Sequence, residues 1–440
     1  MLSRRSLLAS VAATALLPRG LAAQVLPPEG FGTPAGTFPF APEVFRERRR
    51  KLMDAIGGGI AVVYGAERPA FDGPLSPPFT QDGDFAWLTG IVDEPGAILI
   101  LAPAERTVRE YLLLPPREPE SERWEVERLP LGAYIQRRTG FAKVYRTSAL
   151  GSIVTSLAER SKTLHFLGPI ASTTAPVPKA LELYGQIAAR VPGTSIDDSS
   201  QILPAMRCVK EPREIEQMRK AAVATARGHI AAMKQVRPGW TEGQLQDVVE
   251  AAFREGGGTG LAYGSIVGTG RNAASLHYSG RTGVIAPGDL ILIDAAASVG
   301  GYACDVTRTF PASGKFTPKQ RDDYALVLAA HEAALAKLKA GAYYEDLSEA
   351  AKDVFRKAGR IDDFTHGLSH FVGLDVHDAG DLSKPLPTGA VITIEPGLYV
   401  QAANYGIRIE DIYLVTSAGA ERLSAGVPRT IAEIEAAMAR

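Results

Sequence analysis

The sequence predicts an α+β carboxyl-terminal domain with an internal two-fold repeat, preceded by a smaller α/β domain. Three observations carry this. Residues 229–239 match residues 331–341 at a constant offset of 102, and the same offset relates Leu245 to Leu347, Phe253 to Phe355, Arg254 to Arg356 and Gly257 to Gly359. Two apolar runs, 287–294 and 387–395, each begin in Pro/Gly turn chemistry and end in a carboxylate, Asp294 and Glu395. Before residue 204, short apolar runs alternate with helical stretches, the pattern of an α/β domain. The predicted division is residues 1–23 as an export signal, 24–41 as a tether, 42–204 as the α/β domain and 205–440 as the repeat domain.

The bulk properties exclude several functions. With 45% apolar and 22% charged residues, the chain reads as a soluble globular protein long enough for two domains. A formal net charge of −1 supplies no electrostatic attraction to nucleic acid or an anionic membrane. Two cysteines, Cys208 and Cys304, are too few for a disulfide framework, and both sit in segments that read as core.

At the amino terminus, Arg4-Arg5 precede an apolar run reaching Leu17, with Ala22-Ala23 before Gln24. This resembles a twin-arginine export signal, an ordinary secretory signal being the alternative. The run is too short for a helix that stays in a membrane, so no stable anchor is expected and the mature protein should be periplasmic. The tether that follows is rich in Pro and Gly.

The first helix is expected after Pro42, with Phe45, Leu52, Met53 and Ile56 on its buried face and Arg46, Glu47, Arg49 and Arg50 on the other. Glycines 57–59 stop it. Strands are expected at 60–64, 97–101, 111–114 and 164–167, and a helix at 179–191. His165 reads as a core or edge histidine, and Asp82 and Asp84 as a solvated turn. A domain boundary is expected at 204–211, followed by a long helix over 212–236.

Each copy of the repeat then reads helix, helix, strands. Thr241 with Gln244 forms a capping box that opens the second helix of the first copy. His277 pairs with His377 and Gly280 with Gly380 at an offset of 100, and Asp294 with Glu395 at 101. Two copies would set equivalent strand ends opposite one another, so that one site receives ligands from both. The mid-helix pair His229 and His331 is better explained by ancestry than by chemistry.

Five residues are candidate metal ligands: Asp294, Asp305, His370, Glu395 and Glu410. Each acid alone would read as a solvated strand end, but buried carboxylates ending apolar strands, paired by a repeat, call for a cation between them. Period-2 alternation turns Asp305 away from Cys304, and Arg408 shares a face with Glu410. Four carboxylates balance two divalent cations. The oxygen-rich set with one imidazole suits Mn, Co, Fe or Zn in a two-metal centre rather than a structural zinc. Four of the seven histidines, His277, His366, His370 and His377, gather around it. Other motifs fail: His331-Glu332 lacks a histidine at position 335, and Ser369 lacks the glycine that a nucleophile elbow needs. Gly268-Thr269-Gly270 has no βαβ context for a dinucleotide fingerprint.

The stretches 292–295, 302–310, 366–378, 394–399 and 406–411 together resemble the pita-bread metallopeptidases, and within them the aminopeptidase P (Xaa-Pro aminopeptidase) family; residues 79–85 and 88–90 resemble that family's amino-terminal domain. The resemblance implies two α+β halves around a curved sheet with a dinuclear site in its bowl. It implies that Asp294 chelates one metal, Asp305 and Glu410 bridge both, and His370 and Glu395 complete the second metal's shell. A hydroxide between the metals would attack the carbonyl before proline, with Glu395 as base and then acid. His277 and His377 would hydrogen-bond substrate and oxyanion. His366 would shape the proline side, and Arg408 would orient a carboxylate or the substrate. The implied cofactor is two divalent ions, commonly manganese; the implied substrate is a peptide with proline second; and the implied assembly is a homo-oligomer, a dimer or tetramer. The loops 380–387 and 400–405, at the mouth of the bowl, are shorter than in bacterial members, leaving substrate length open. Prolidase shares all five ligands and is the alternative. Methionine aminopeptidases usually lack the amino-terminal domain, and creatinase and non-catalytic members lack the ligand set.

Overall fold

In a computed structural model, the chain is described at residues 39–68, 79–123, 128 and 130–439. The expected export signal, residues 1–23, and residues 24–38 of the tether lie outside the described residues. Among the described residues, no helix is long and apolar enough to cross a membrane. Two compact units emerge. One takes the residues up to Leu164 together with Lys179–Ile196; the other takes His165–Pro178 and the chain from Asp197 onward. Residues 204–211 therefore fall inside the second unit, in the helix Ile202–Cys208 and the turn after it.

The first unit opens with the helix Pro42–Ile56, started by a proline at its first turn and closed by Gly57 at φ 70°. Phe45, Leu52 and Met53 are buried as expected, but so are Arg48 and Arg49. Arg49 was expected on the solvent face. Instead its guanidinium lies 4.0 Å from the centre of the Phe141 ring and pairs with Glu110 at 2.9 Å. A delocalised cation stacked on an aromatic face and paired with a carboxylate tolerates burial that a hydropathy pattern does not anticipate. The predicted strands appear as β1 (Ile60–Tyr64), β2 (Ile98–Leu101), β3 (Glu110–Leu114) and β5 (Thr163–Phe166), with β4 (Val144–Arg146) and β6 (Ser195–Asp198) added to give the sheet order β4-β3-β2-β1-β5-β6. Asp82 is not merely a solvated turn: its Oδ1 accepts from Phe85 N at 2.8 Å and caps the helix Gly83–Thr89.

The second unit repeats a helix pair: Pro212–Gln235 with Glu242–Glu255, then Pro318–Leu335 with Tyr344–Lys357. The Thr241–Gln244 capping box forms in both directions, at 2.9 and 3.2 Å. After the first pair come β7 (Gly260–Leu261), β8 (Ile266–Thr269), β9 (Leu290–Asp294), β10 (Ala297–Val299), β11 (Tyr302–Ala303) and β12 (Thr307–Pro311). After the second come β13 (Val391–Ile394), β14 (Gly397–Val400), β15 (Tyr405–Arg408), β16 (Asp411–Thr416) and β17 (Gly419–Arg422). They form short antiparallel sheets, β12-β9-β8 and β13-β16-β17 among them. In both halves the strand ending at a candidate acid pairs antiparallel with a later strand, β9 with β12 and β13 with β16. The halves are stitched where Glu410 N donates to Thr307 O at 3.1 Å and Arg408 N to Thr309 Oγ1 at 3.1 Å. Cys208 and Cys304 are buried and free, as expected.

Candidate metal centre

All nine candidate residues line one cavity of about 800 Å³ in the second unit. Asp294 is the last residue of β9, and Glu395 follows β13, each delivered by a strand whose other residues are buried. Asp305 sits between β11 and β12, and Glu410 between β15 and β16. His370 is held beside β13 by backbone bonding: its N donates to Thr393 Oγ1 at 3.1 Å, and Thr393 N donates to its carbonyl at 2.9 Å.

Asp305, His370 and Glu410 each present a ligand atom within 4.8 Å of the others. His370 Nε2 lies 3.4 Å from Asp305 Oδ2 and 3.6 Å from Glu395 Oε1. Its Nδ1 donates to Phe371 O at 3.0 Å, which turns Nε2 toward the carboxylates. Asp294 is drawn in differently. Its Oδ2 accepts from Arg408 Nη2 at 2.5 Å, and its Oδ1 contacts Tyr263 Oη at 2.6 Å.

The electrostatics fit a bound cation. Burial, then the neighbouring carboxylates, push Glu410 well above the usual range, and burial also raises Asp305. Burial drives Glu395 up to about 8, helped by Asp305 and Asp294 and opposed by His370 and Arg408. Burial opposes a charged His370, yet the hydrogen bond and charge of Asp305, with Glu395, raise its pKa to about 9. These carboxylates cannot all ionise at neutral pH without positive charge among them. Tyr263 makes the same point. Its Oη lies 2.6 Å from Asp294 and 2.5 Å from Asp305, yet a phenol carries one hydrogen. Four carboxylates and an imidazole with its far nitrogen anchored are a donor set for divalent ions.

A hydrogen-bonded chain leads away from the acids. Arg408 donates through Nη1 to Tyr399 Oη at 2.9 Å, and Tyr399 Oη is 2.9 Å from His366 Nε2. His366 Nδ1 donates to Gly367 O at 2.8 Å, so its Nε2 accepts from the tyrosine. Burial and the charge of Arg408 hold the His366 pKa down at about 4, leaving a neutral ring. Arg408 Nε donates to Thr307 Oγ1 at 3.0 Å, and Thr307 donates onward to Glu410 Oε2 at 2.6 Å. The His377 ring centre is 4.1 Å from that of His370, and burial with the charge of His370 lowers its pKa. His277 lines the same cavity from the connection before β9. His229 and His331 are fully buried in their helices and do not line it.

Sequence reasoning did not single out Tyr263, Thr307 or the hydrogen-bonding role of Tyr399. Thr307 had a signal, since it lies two residues beyond Asp305 and shares its face in an extended strand. Tyr263 had none, because its partners are 31 and 42 residues away.

Both parts of the chain match known families. Residues 216–417 match the model of metallopeptidase family M24, and residues 45–165 match aminopeptidase P, N-terminal domain. The Xaa-Pro aminopeptidase of Escherichia coli strain K12 is 33% identical over 437 residues, spanning 90% of this chain and 97% of that one. The structure of Pseudomonas aeruginosa aminopeptidase PepP superposes with a TM-score of 0.80 at 32% identity, covering 91% of this chain and 98% of that chain. Zinc-substituted E. coli aminopeptidase P in complex with product gives 0.81 at 30% identity, with the same coverage. The chain belongs to metallopeptidase family M24 and, within it, to the aminopeptidase P group.

Proposed function

We propose that this metallopeptidase removes the first residue of peptides whose second residue is proline, using two divalent ions held by Asp294, Asp305, His370, Glu395 and Glu410, manganese being the native metal. The observation that carries the metal site is the buried cluster of carboxylates around His370, whose charge needs a cation. Bound there, divalent ions supply Lewis acidity toward the scissile carbonyl and a nucleophile at neutral pH. The protein's own residues do the rest. Glu395, facing His370 through Oε1 at 3.6 Å, is placed to take a proton and return it to the leaving nitrogen. His277 and His377 line the cavity wall, from which their ring N–H groups would stabilise negative charge developing on the substrate carbonyl. The neutral His366, packed on Tyr399 with ring centres 5.4 Å apart, offers an apolar edge to the proline ring. Arg408, whose Nη2 donates to Asp294 Oδ2 at 2.5 Å, holds that carboxylate in orientation.

The test is to chelate the protein, reload it with manganese, cobalt, zinc or iron, and assay Xaa-Pro-Yaa and Xaa-Pro peptides. Turnover of the tripeptides, highest with manganese, is the expected result. Turnover of the dipeptides alone makes the chain a prolidase. Asp305→Asn and Glu410→Gln are expected to lose both metal and activity; retention of both would remove the assignment.

The reading extends to location and assembly. Arg4-Arg5 and the apolar run after them support export, and cell fractionation should recover the protein in the periplasm only when both arginines are intact. A homo-oligomer is proposed, to be checked by light scattering of the purified protein.

A further inference from the structure

The ring of His277 makes no hydrogen bond among the described residues, so its position depends on the connection that carries it. That connection is tied down by one buried carboxylate. Glu242, the first residue of the helix Glu242–Glu255, is fully buried and accepts four hydrogen bonds. Its Oε1 takes Thr269 N and Asn272 Nδ2, both at 2.9 Å, from the near side of His277. Its Oε2 takes Tyr278 Oη at 2.7 Å and Gly283 N at 2.9 Å from the far side. Tyr278 is the next residue after His277 and also lines the cavity. Backbone bonds reinforce the grip, with Glu242 N donating to Gly283 O at 2.9 Å and Gly243 N to Arg281 O at 2.9 Å. The approach is close enough to require glycine at 283, where a Cβ would come within 2.6 Å of the Glu242 carboxyl.

The second half uses the same helix position for the same purpose. Tyr344, at the repeat offset of 102 from Glu242, also begins its helix, Tyr344–Lys357. Its Oη accepts Leu368 N at 3.0 Å, between His366 and His370. In each half the first residue of the second helix thus anchors that half's histidine-bearing segment.

We propose that Glu242 is a positioning residue that holds His277 in place against the substrate. A carboxylate suits the role, because its two oxygens satisfy four donors at once and its charge sits at a helix amino terminus. The inference rests on the reading of His277 as substrate-facing under the proposed function. Glutamine at 242 has one acceptor oxygen and sets its own N–H groups against the remaining donors, so the loop shifts while the metal ligands stay.

The experiment is a double-mutant cycle with Glu242→Gln and His277→Ala in the manganese-loaded enzyme, measuring kcat and KM on an Xaa-Pro-Yaa peptide together with metal content. Glu242→Gln is expected to lower kcat about tenfold or more, the scale of a small misplacement in an active site. KM should stay within about twofold, with metal content unchanged. In the His277→Ala background, Glu242→Gln should cost almost nothing further. Losses that multiply, or an unchanged kcat in folded Glu242→Gln, overturn the proposal. An unchanged kcat in His277→Ala overturns the reading of His277 instead, and the proposal with it, and so separates the two failures. Should Glu242→Gln not fold, Tyr278→Phe and Asn272→Ala each remove a single bond to the same carboxylate and are judged by the same non-additivity with His277→Ala.

Discussion

Arg408 divides one guanidinium among three acceptors, Asp294, Tyr399 and Thr307, at 2.5, 2.9 and 3.0 Å. Through them it reaches the proposed metal ligand Asp294, the His366 side of the cavity and, by way of Thr307, Glu410. Nη2, Nη1 and Nε each meet a different acceptor, a span that a single ammonium nitrogen does not reach, so lysine is not a conservative replacement. Arg408→Lys should lower kcat/KM about a hundredfold, roughly 2.7 kcal/mol of transition-state stabilisation. Metal content by mass spectrometry should fall with it, because Asp294 loses its partner. A variant that keeps full metal and near-native kcat/KM would show that Asp294 holds its orientation without the arginine.

At the scale of elements, the loop carrying His377 is clamped by the helix Ile202–Cys208 and the turn after it. Arg207 bonds Asp375 at 2.7 Å and also pairs with Asp378, while Lys210 Nζ lies 2.8 Å from Asp378 Oδ2. Burial alone would raise the Asp378 pKa, but Lys210 and Arg207 hold it below the usual value. A lowered folded-state pKa contributes stability that is fully present above the unfolded value and is lost as pH falls through the folded one. Asp378→Asn should therefore destabilise the protein at pH 7 by about 3 kcal/mol, the scale for breaking a buried pair. The gap to wild type should close as pH drops below about 3.9, the ordinary aspartate value. Urea titrations at several pH values measure it, and a gap independent of pH would mean that the charge of Asp378 is irrelevant. This clamp was invisible in the sequence, since Arg207 and Asp378 are 171 residues apart. The repeat helices, the strands β9 and β13 and the acids at their ends were legible because periodicity, capping residues and turn glycines are local signals. Arg49 was misplaced because stacking on Phe141 overrides hydropathy, and β6 was missed because all four of its residues are exposed.

The whole catalytic unit is two halves sharing one site. Asp294 and Asp305 come from the first, and His370, Glu395 and Glu410 from the second, so a cation held by this proposed set would bond the halves to each other. The halves are also joined directly, through the Thr307, Thr309 and Arg408 hydrogen bonds and at Arg308. Fully buried, Arg308 in β12 donates to Glu410 O at 2.6 Å and pairs with Asp411 at 2.7 Å, both in the other half. Arg308→Met strands the buried Asp411 without its nearest cation and should cost about 3–5 kcal/mol with metal or without. Metal adds to this join by mass action, because the unfolded chain cannot present the five ligands together. At a free concentration a hundredfold above Kd, one bound ion stabilises by about 2.7 kcal/mol. Calorimetry should therefore show a higher Tm for the manganese-loaded protein than for the chelated one. That increment should vanish in Glu410→Gln and persist in Arg308→Met, since one change removes a ligand and the other only weakens the join. Hydrogen exchange locates the effect: chelation should lower protection at both 290–311 and 391–416, the strands that deliver the acids. Loss confined to one half would mean that the metal is held by that half alone and does not couple the repeats.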